Sequence, residues 1–255
     1  MPSALTPSAT AAEGIGARDR RNRFFVGMSV LLMLIVLVGF ARTFFLRPFF
    51  GTVDLLGTPE LPVHLYWHGA ALTAWFLLFF VQTCLVAIGR TDLHRRVGVA
   101  GAVVAVLVVV SGLWTVIRAV PRLTLAYAPL DAFGPLVFGN MAALVIFTVC
   151  VAVGIARRRQ PAVHRRLMLL ATISITAQAA TRIGQLFGLA PLAFGVPTLL
   201  GLPLLLAAYD FWTLRRIHVA TSLGILLVVL CFVSAVILMG SEAGRFIVEM
   251  LRGVG

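Results

Sequence analysis

The sequence predicts an all-α fold: a seven-span transmembrane helical bundle, N-terminus inside and C-terminus outside, with a C-terminal amphipathic helix at the interface. Three observations predict it. Hydrophobic residues make up 60% of the 255 and charged residues only 12%, far from the usage of soluble domains. The apolar residues come in runs close to the ~20 needed to cross a bilayer. Short arginine-bearing connections join those runs, so the chain reads as one bundle rather than a soluble domain with an anchor.

Residues 1–23 are rich in Ala, Ser, Thr and Gly and end in Arg18-Asp19-Arg20-Arg21-Asn22-Arg23. They are expected to form a disordered cytoplasmic tail, with no apolar core and small-residue cleavage site of a secretory signal. Span one covers 24–41 and can extend through Phe44 and Phe45. The stretch 42–61 holds Pro48, Gly51, Gly57 and Pro59 and is expected to be a loop.

Span two covers 62–88, with Pro62 suited to a first helical position. Span three covers 94–117, and its Gly98, Gly101 and Gly112 imply close helix approach. A loop over 118–129 carries Pro121 and Pro129, after which Asp131 can cap span four, ending at 156. Span five covers 163–187. Span six, 189–212, contains Pro191, Pro197, Gly201 and Pro203, which predicts a kink or partial break.

Span seven covers 218–239, completing a bundle over 24–240. The last segment, 241–255, places Ala243, Phe246, Ile247, Met250 and Leu251 on one helical face and Arg245, Glu249 and Arg252 elsewhere, the pattern of a surface-lying amphipathic helix.

The net charge is +12, and all 21 basic residues are arginine. In a soluble protein that balance would point to nucleic acid. Here the arginines sit between apolar runs, where they set orientation and meet anionic lipid headgroups, so the bilayer is the expected partner. Fourteen fall on one side of the seven-span arrangement and seven on the other. The richer side belongs in the cytoplasm, and a bacterial inner membrane is the expected location. Cys84, Cys150 and Cys231 lie in three different apolar runs and read as packing residues, not as a disulfide framework.

A short motif recurs. Leu93-His94-Arg95-Arg96-Val97 returns as Val163-His164-Arg165-Arg166-Leu167, and Leu214-Arg215-Arg216-Ile217-His218 holds the same ingredients in another order. With His68-Gly69 near the start of one span and Leu93-His94-Arg95-Arg96-Val97-Gly98 after it, the chain resembles a group of bacterial multipass membrane proteins over residues 60 to 235. That resemblance implies fold and topology only. A fainter similarity to helical b-type haem membrane proteins rests on histidines near span ends.

His94, His164 and His218 open spans three, five and seven from one face, and Asp210 lies near the end of span six. If those starts converge, three imidazoles and a carboxylate share one depth. Neutral imidazole binds metal; three with an open fourth position suit zinc, and two opposed across a porphyrin suit b-type haem. The competing reading is that such a histidine caps a helix or contacts lipid phosphate, and that Asp210 pairs with Arg215 or Arg165.

On the outer side His64 and His68 are four apart on span two, a spacing that can chelate one metal. His64 is expected at the membrane surface, with His68 deeper. Asn140, Gln178, Arg182 and Gln185 fall at similar depth, the last three on one helical face. Together these six residues predict a polar cavity open to the outside, the competing reading being ordinary helix–helix hydrogen bonds. Trp67, Tyr66, Trp114, Tyr127 and Trp212 read as interfacial anchors, and Gln82 and Thr83 as helix–helix bonds.

Three functions follow as expectations: a redox or cofactor protein using the inner histidines, a proton or small-molecule carrier or sensor using the outer cavity, and a zinc-dependent membrane hydrolase. No catalytic residue is assigned. The sequence offers no Gly-rich phosphate loop, no G-x-S-x-G and no paired intramembrane carboxylates.

Overall fold

The computed structural model describes residues 9–50, 61–125, 134–190 and 192–253, and among them it is helical with no strand. Helix α1 is Ala9–Gly39, followed by a π-helical turn, Ala41–Phe45, and the short α2, Arg47–Phe50. Then come α3 (Val63–Ala87), α4 (Thr91–Leu125), α5 (Gly134–Ala156), α6 (Pro161–Leu186), α7 (Leu192–Leu214), α8 (Val219–Met239) and α9 (Glu242–Gly253). Seven of these, α1 and α3 to α8, are long and apolar enough to cross a membrane. At 1.5 Å per residue, even the 21 residues of α8 reach across a hydrocarbon core of about 30 Å.

Several boundaries differ from those expected. Helix α1 begins at Ala9, within the segment read as a tail; residues 9–23 have no proline and are rich in alanine and arginine, both strong helix formers. Part of the 42–61 segment is helical, and α4 runs on past Pro121. Helix α7 is continuous with Pro197 and Pro203 inside it. Each proline removes one backbone bond, but α6 and α8 pack along α7 and hold its course. Tyr127, Pro129, Asp131 and Pro191 lie outside the described residues.

Helix α6 is the axis of the bundle, packing against α1, α5, α7 and α8. From Arg166 to Thr176 nearly every residue is buried. Its hydroxyls are satisfied locally: Thr172, Thr176 and Thr181 donate to the carbonyls of Met168, Thr172 and Ala177, and Ser174 donates to Ala171 and across to Ala143 of α5. Such bonds let a polar helix sit in an apolar centre without lining a cavity.

Trp75 of α3 joins the axis by donating Nε1–H to Thr172 Oγ1 at 3.2 Å, with its ring edge-on to Phe147 of α5 at 4.8 Å. Together with Leu169, Leu170 and Ile173 these residues make a packed layer across the middle of the bundle.

Small residues set the closest approaches. A Cβ on Gly39 would lie 2.3 Å from the Ala179 carbonyl oxygen, so α1 and α6 touch backbone to backbone there. Of the three glycines singled out in span three, Gly112 packs under Leu144, Gly98 makes room for Gln82, and Gly101 has nothing within 4 Å. Gly89, at φ +81°, closes α3, with the amide of Arg90 bonding back to Leu85.

The connections after α3, α5 and α7 are each only a few residues long. Phe24 of α1 stacks on Tyr209 of α7 at 3.8 Å, and the Arg165 guanidinium lies over the Phe25 ring at 5.2 Å. These contacts bring the three turns and the Arg23 end of span one to a common basic end.

Helix α9 folds back on the other end. Val248 is buried against Phe138 and Ala235, whereas Phe246 stays 67% and Met250 54% exposed.

Candidate functional site

Two of the three repeated histidines meet. His94, in the first turn of α4, and His164, in the first turn of α6, have ring centroids 6.2 Å apart and ring planes inclined at 81°. The connections before both helices are short, and both α3–α4 and α5–α6 pack as antiparallel hairpins, so the two motifs reach the same level. His164 Nδ1 lies 2.8 Å from the Gly154 carbonyl oxygen. A carbonyl only accepts, so Nδ1 carries a proton, and in the neutral ring the lone pair is on Nε2.

Gln82 of α3 completes the group by donating Nε2–H to the His94 carbonyl at 3.1 Å. Its Oε1 and the Nδ1 of His94 are both closed off from solvent with no hydrogen-bond partner among the described residues. Leaving such an atom dry costs about 1–3 kcal/mol. The arrangement therefore presents a buried amide oxygen, one unpartnered imidazole nitrogen and a second imidazole of fixed tautomer. Thr83, next to Gln82, hydrogen-bonds Ser29 of α1 at 2.9 Å and pins α3 in place.

His218 does not join them. Among the described residues no three His, Cys, Asp or Glu side chains are placed to hold a metal ion, so the expected three-histidine cluster reduces to a pair. His218 instead caps α8, its Nδ1 accepting from the Ala220 amide at 3.1 Å. This is the capping role offered as the competing reading.

Asp210 is likewise committed, though to neither arginine expected. Its partner is Arg166, whose Nε donates to the two carboxylate oxygens at 3.0 and 3.1 Å while Nη2 also bonds Oδ1. Oδ2 further accepts from Thr221 Oγ1 at 2.5 Å and from the His218 amide at 3.2 Å. Arg166 is 1% and Asp210 0% exposed. The group staples α6, α7 and the start of α8. Arg165, one residue earlier, points to Phe25 instead.

Partial burial, then the Arg166 charge, push His218 below the ordinary histidine range, against the opposing pull of Asp210; Arg165 and Arg216 add to the lowering. A histidine held neutral by the fold contributes its stability above its unfolded pKa of about 6.5 and loses it as pH falls. Protonation at Nδ1 also destroys the cap. In a His218→Asn variant, whose side chain accepts the same bond at any pH, the fall in melting temperature between about pH 7 and pH 5 is expected to be smaller than in the parent. Equal falls would show that His218 is not the titrating cap.

The outer residues are less unified. His64 is buried, 4% exposed, not at the surface as expected, because its face of α3 turns to α4 and meets the Trp114 ring at 5.8 Å. His68 Nδ1 lies 3.1 Å from Ser111 Oγ of α4. Asn140 and Gln178 are half-buried, Arg182 rests over the Phe40 ring of α1 at 5.3 Å, and Gln185 is exposed. His64 and His68 serve the α3–α4 pair and Arg182 the α6–α1 pair. The packed layer around Trp75, Phe147 and Ile173 separates them from the basic end.

Sequence reasoning placed Arg166 at this end without pairing it with Asp210, and it did not assign Gln82 or Gly154 to the site. One signal for Arg166 was present: Asp210 is a lone acid in an apolar run, which demands a buried cation on a neighbouring helix. Comparisons with protein-family models, with curated proteins and with solved structures returned no match.

Proposed function

We propose that this chain is a multi-pass protein of a bacterial inner membrane that holds a metal cofactor between His94 and His164, at the cytoplasmic end of the bundle. The observation that carries the reading is the imidazole pair itself. Two nitrogen–metal bonds of about 2.0–2.1 Å plus the ring radius on each side span roughly 5–6.5 Å between centroids, depending on angle, and the observed separation is 6.2 Å. The Nδ1–H of His164 bonded to a backbone carbonyl is the outer-shell contact by which metal-binding histidines are usually oriented. Gln82, whose Oε1 is buried without a partner among the described residues, would be a candidate further ligand.

Imidazole with amide oxygen suits zinc, copper, iron or nickel. With copper or iron the site carries one-electron chemistry. A porphyrin would need the two imidazoles on opposite sides of its iron. Arginine bias gives the orientation: the connections at this end are the basic ones, so the N-terminus lies inside and the C-terminus outside, with α9 at the outer interface.

The hydrolase reading would use Asp210 as base or orienter, and both of its carboxylate oxygens already accept hydrogen bonds from Arg166, Thr221 or the His218 amide. The carrier reading retains the contact between His68 and Ser111 across α3 and α4 but needs a path through the packed central layer.

Elemental analysis of protein purified without chelators or metal-affinity resin tests the proposal. About one metal ion per chain is expected in the parent and at least a tenfold loss in His164→Ala, with the two eluting alike from size exclusion. A Soret band would identify the ion as haem iron. Metal-free parent protein, or unchanged content in the variant, would overturn it.

A further inference from the structure

A groove of about 620 Å³ opens on the side of the bundle between α5 and α8, floored by α6. Its floor is buried Cys150, Leu167 and Gly224, and its lips are exposed Val153 and Leu223. Gly224 lets α8 lie low over Leu170, whose Cδ1 is 2.3 Å from where a Cβ would stand. From Val149 to Arg157 the α5 wall rises about 12 Å at 1.5 Å per residue. At its basic end the groove is bordered by Arg157 and Gln160, both exposed, and by His218.

Apolar walls on two helices long enough to span a membrane suit an acyl chain better than water, and Arg157 is the one arginine, with no lysine or acid, among the described lining residues. The geometry points to a site for one anionic phospholipid: an acyl chain in the groove, with the headgroup phosphate on the Arg157 guanidinium and the Gln160 amide. Arg158 and Arg159 add to the local positive field. The site is separate from the imidazole pair, and neither His94 nor His164 lines it.

The test uses the full chain, delipidated in detergent, with synthetic phosphatidylglycerol or phosphatidylcholine of matched chains, read by native mass spectrometry. The parent is expected to retain phosphatidylglycerol over phosphatidylcholine. Arg157→Gln should lower phosphatidylglycerol retention about fivefold, the worth of one arginine near an anionic surface, and leave phosphatidylcholine unchanged. Val153→Trp, at an exposed position, fills the groove and should lower both. Arg96→Gln, also exposed but outside the groove, should change neither. Equal retention of the two lipids by the parent would overturn the site. So would insensitivity to Arg157→Gln and Val153→Trp, an equal loss in Arg96→Gln, or displacement by inorganic phosphate.

Discussion

Asp210→Ala is expected to lose about 3–5 kcal/mol of stability, because it leaves a guanidinium buried in the bundle without its counter-charge. Five hydrogen bonds to the carboxylate disappear together: three from Arg166 and one each from Thr221 and the His218 amide. Among the described residues Arg166 keeps its bond to the Ala162 carbonyl. In a chain of this size the loss corresponds to a drop of about 10 °C or more in thermal midpoint.

Asp210→Asn retains an acceptor for Thr221 but not the charge, and should fall between. The double variant Arg166→Met/Asp210→Leu removes both buried charges and should recover most of the loss. A single alanine variant melting within about 1 °C of the parent would show that the pair is solvated, contrary to its burial.

The second large effect is steric. Gly39→Val places a branched side chain where the carbonyl oxygen, carbon and Cα of Ala179 lie 2.3, 2.8 and 2.9 Å from the new Cβ. Those atoms belong to the central helix, so α1 must lift away from α6. Overpacking of this kind costs about 1–3 kcal/mol, and valine adds its poorer helix propensity relative to alanine. Gly101→Ala is the matched control: nothing lies within 4 Å of its Cβ, and alanine should raise the midpoint slightly. Thermal unfolding of both in the same detergent decides the matter, and equal midpoints would mean that α1 does not seat against α6 as described.

How much of this was legible beforehand follows from what each feature depends on. Span number and approximate limits rest on the run length of apolar residues, a local property, and all seven helices lie where those runs do. Helix ends were less legible: α7 runs through two prolines and α1 extends into an arginine-rich segment, because neighbouring helices and local propensity outweigh single residues. The repeated His-Arg-Arg motif foretold that His94 and His164 would share a level, since two similar hairpins put equivalent residues at equivalent depths. It could not foretell that His218, which follows its arginines instead of preceding them, would turn to cap α8.

Partner choice was the least legible part. Arg165 and Arg166 are adjacent and chemically alike, yet one helical step of about 100° sends one to Phe25 and the other to Asp210. The outer polar residues illustrate the same limit. Spacing placed Gln178, Arg182 and Gln185 on one face, but burial differs along that face, and Gln185 ends exposed beyond the packed part of α6.

The most direct measurement is X-ray absorption fine structure at the edge of whatever metal copurifies with the full chain. Two imidazole rings bound at about 2.0–2.1 Å, with the remaining scatterers oxygen, are expected, falling to one imidazole in any metal retained by His164→Ala. A first shell without imidazole scattering, or one of sulfur ligands, would contradict a metal held between His94 and His164.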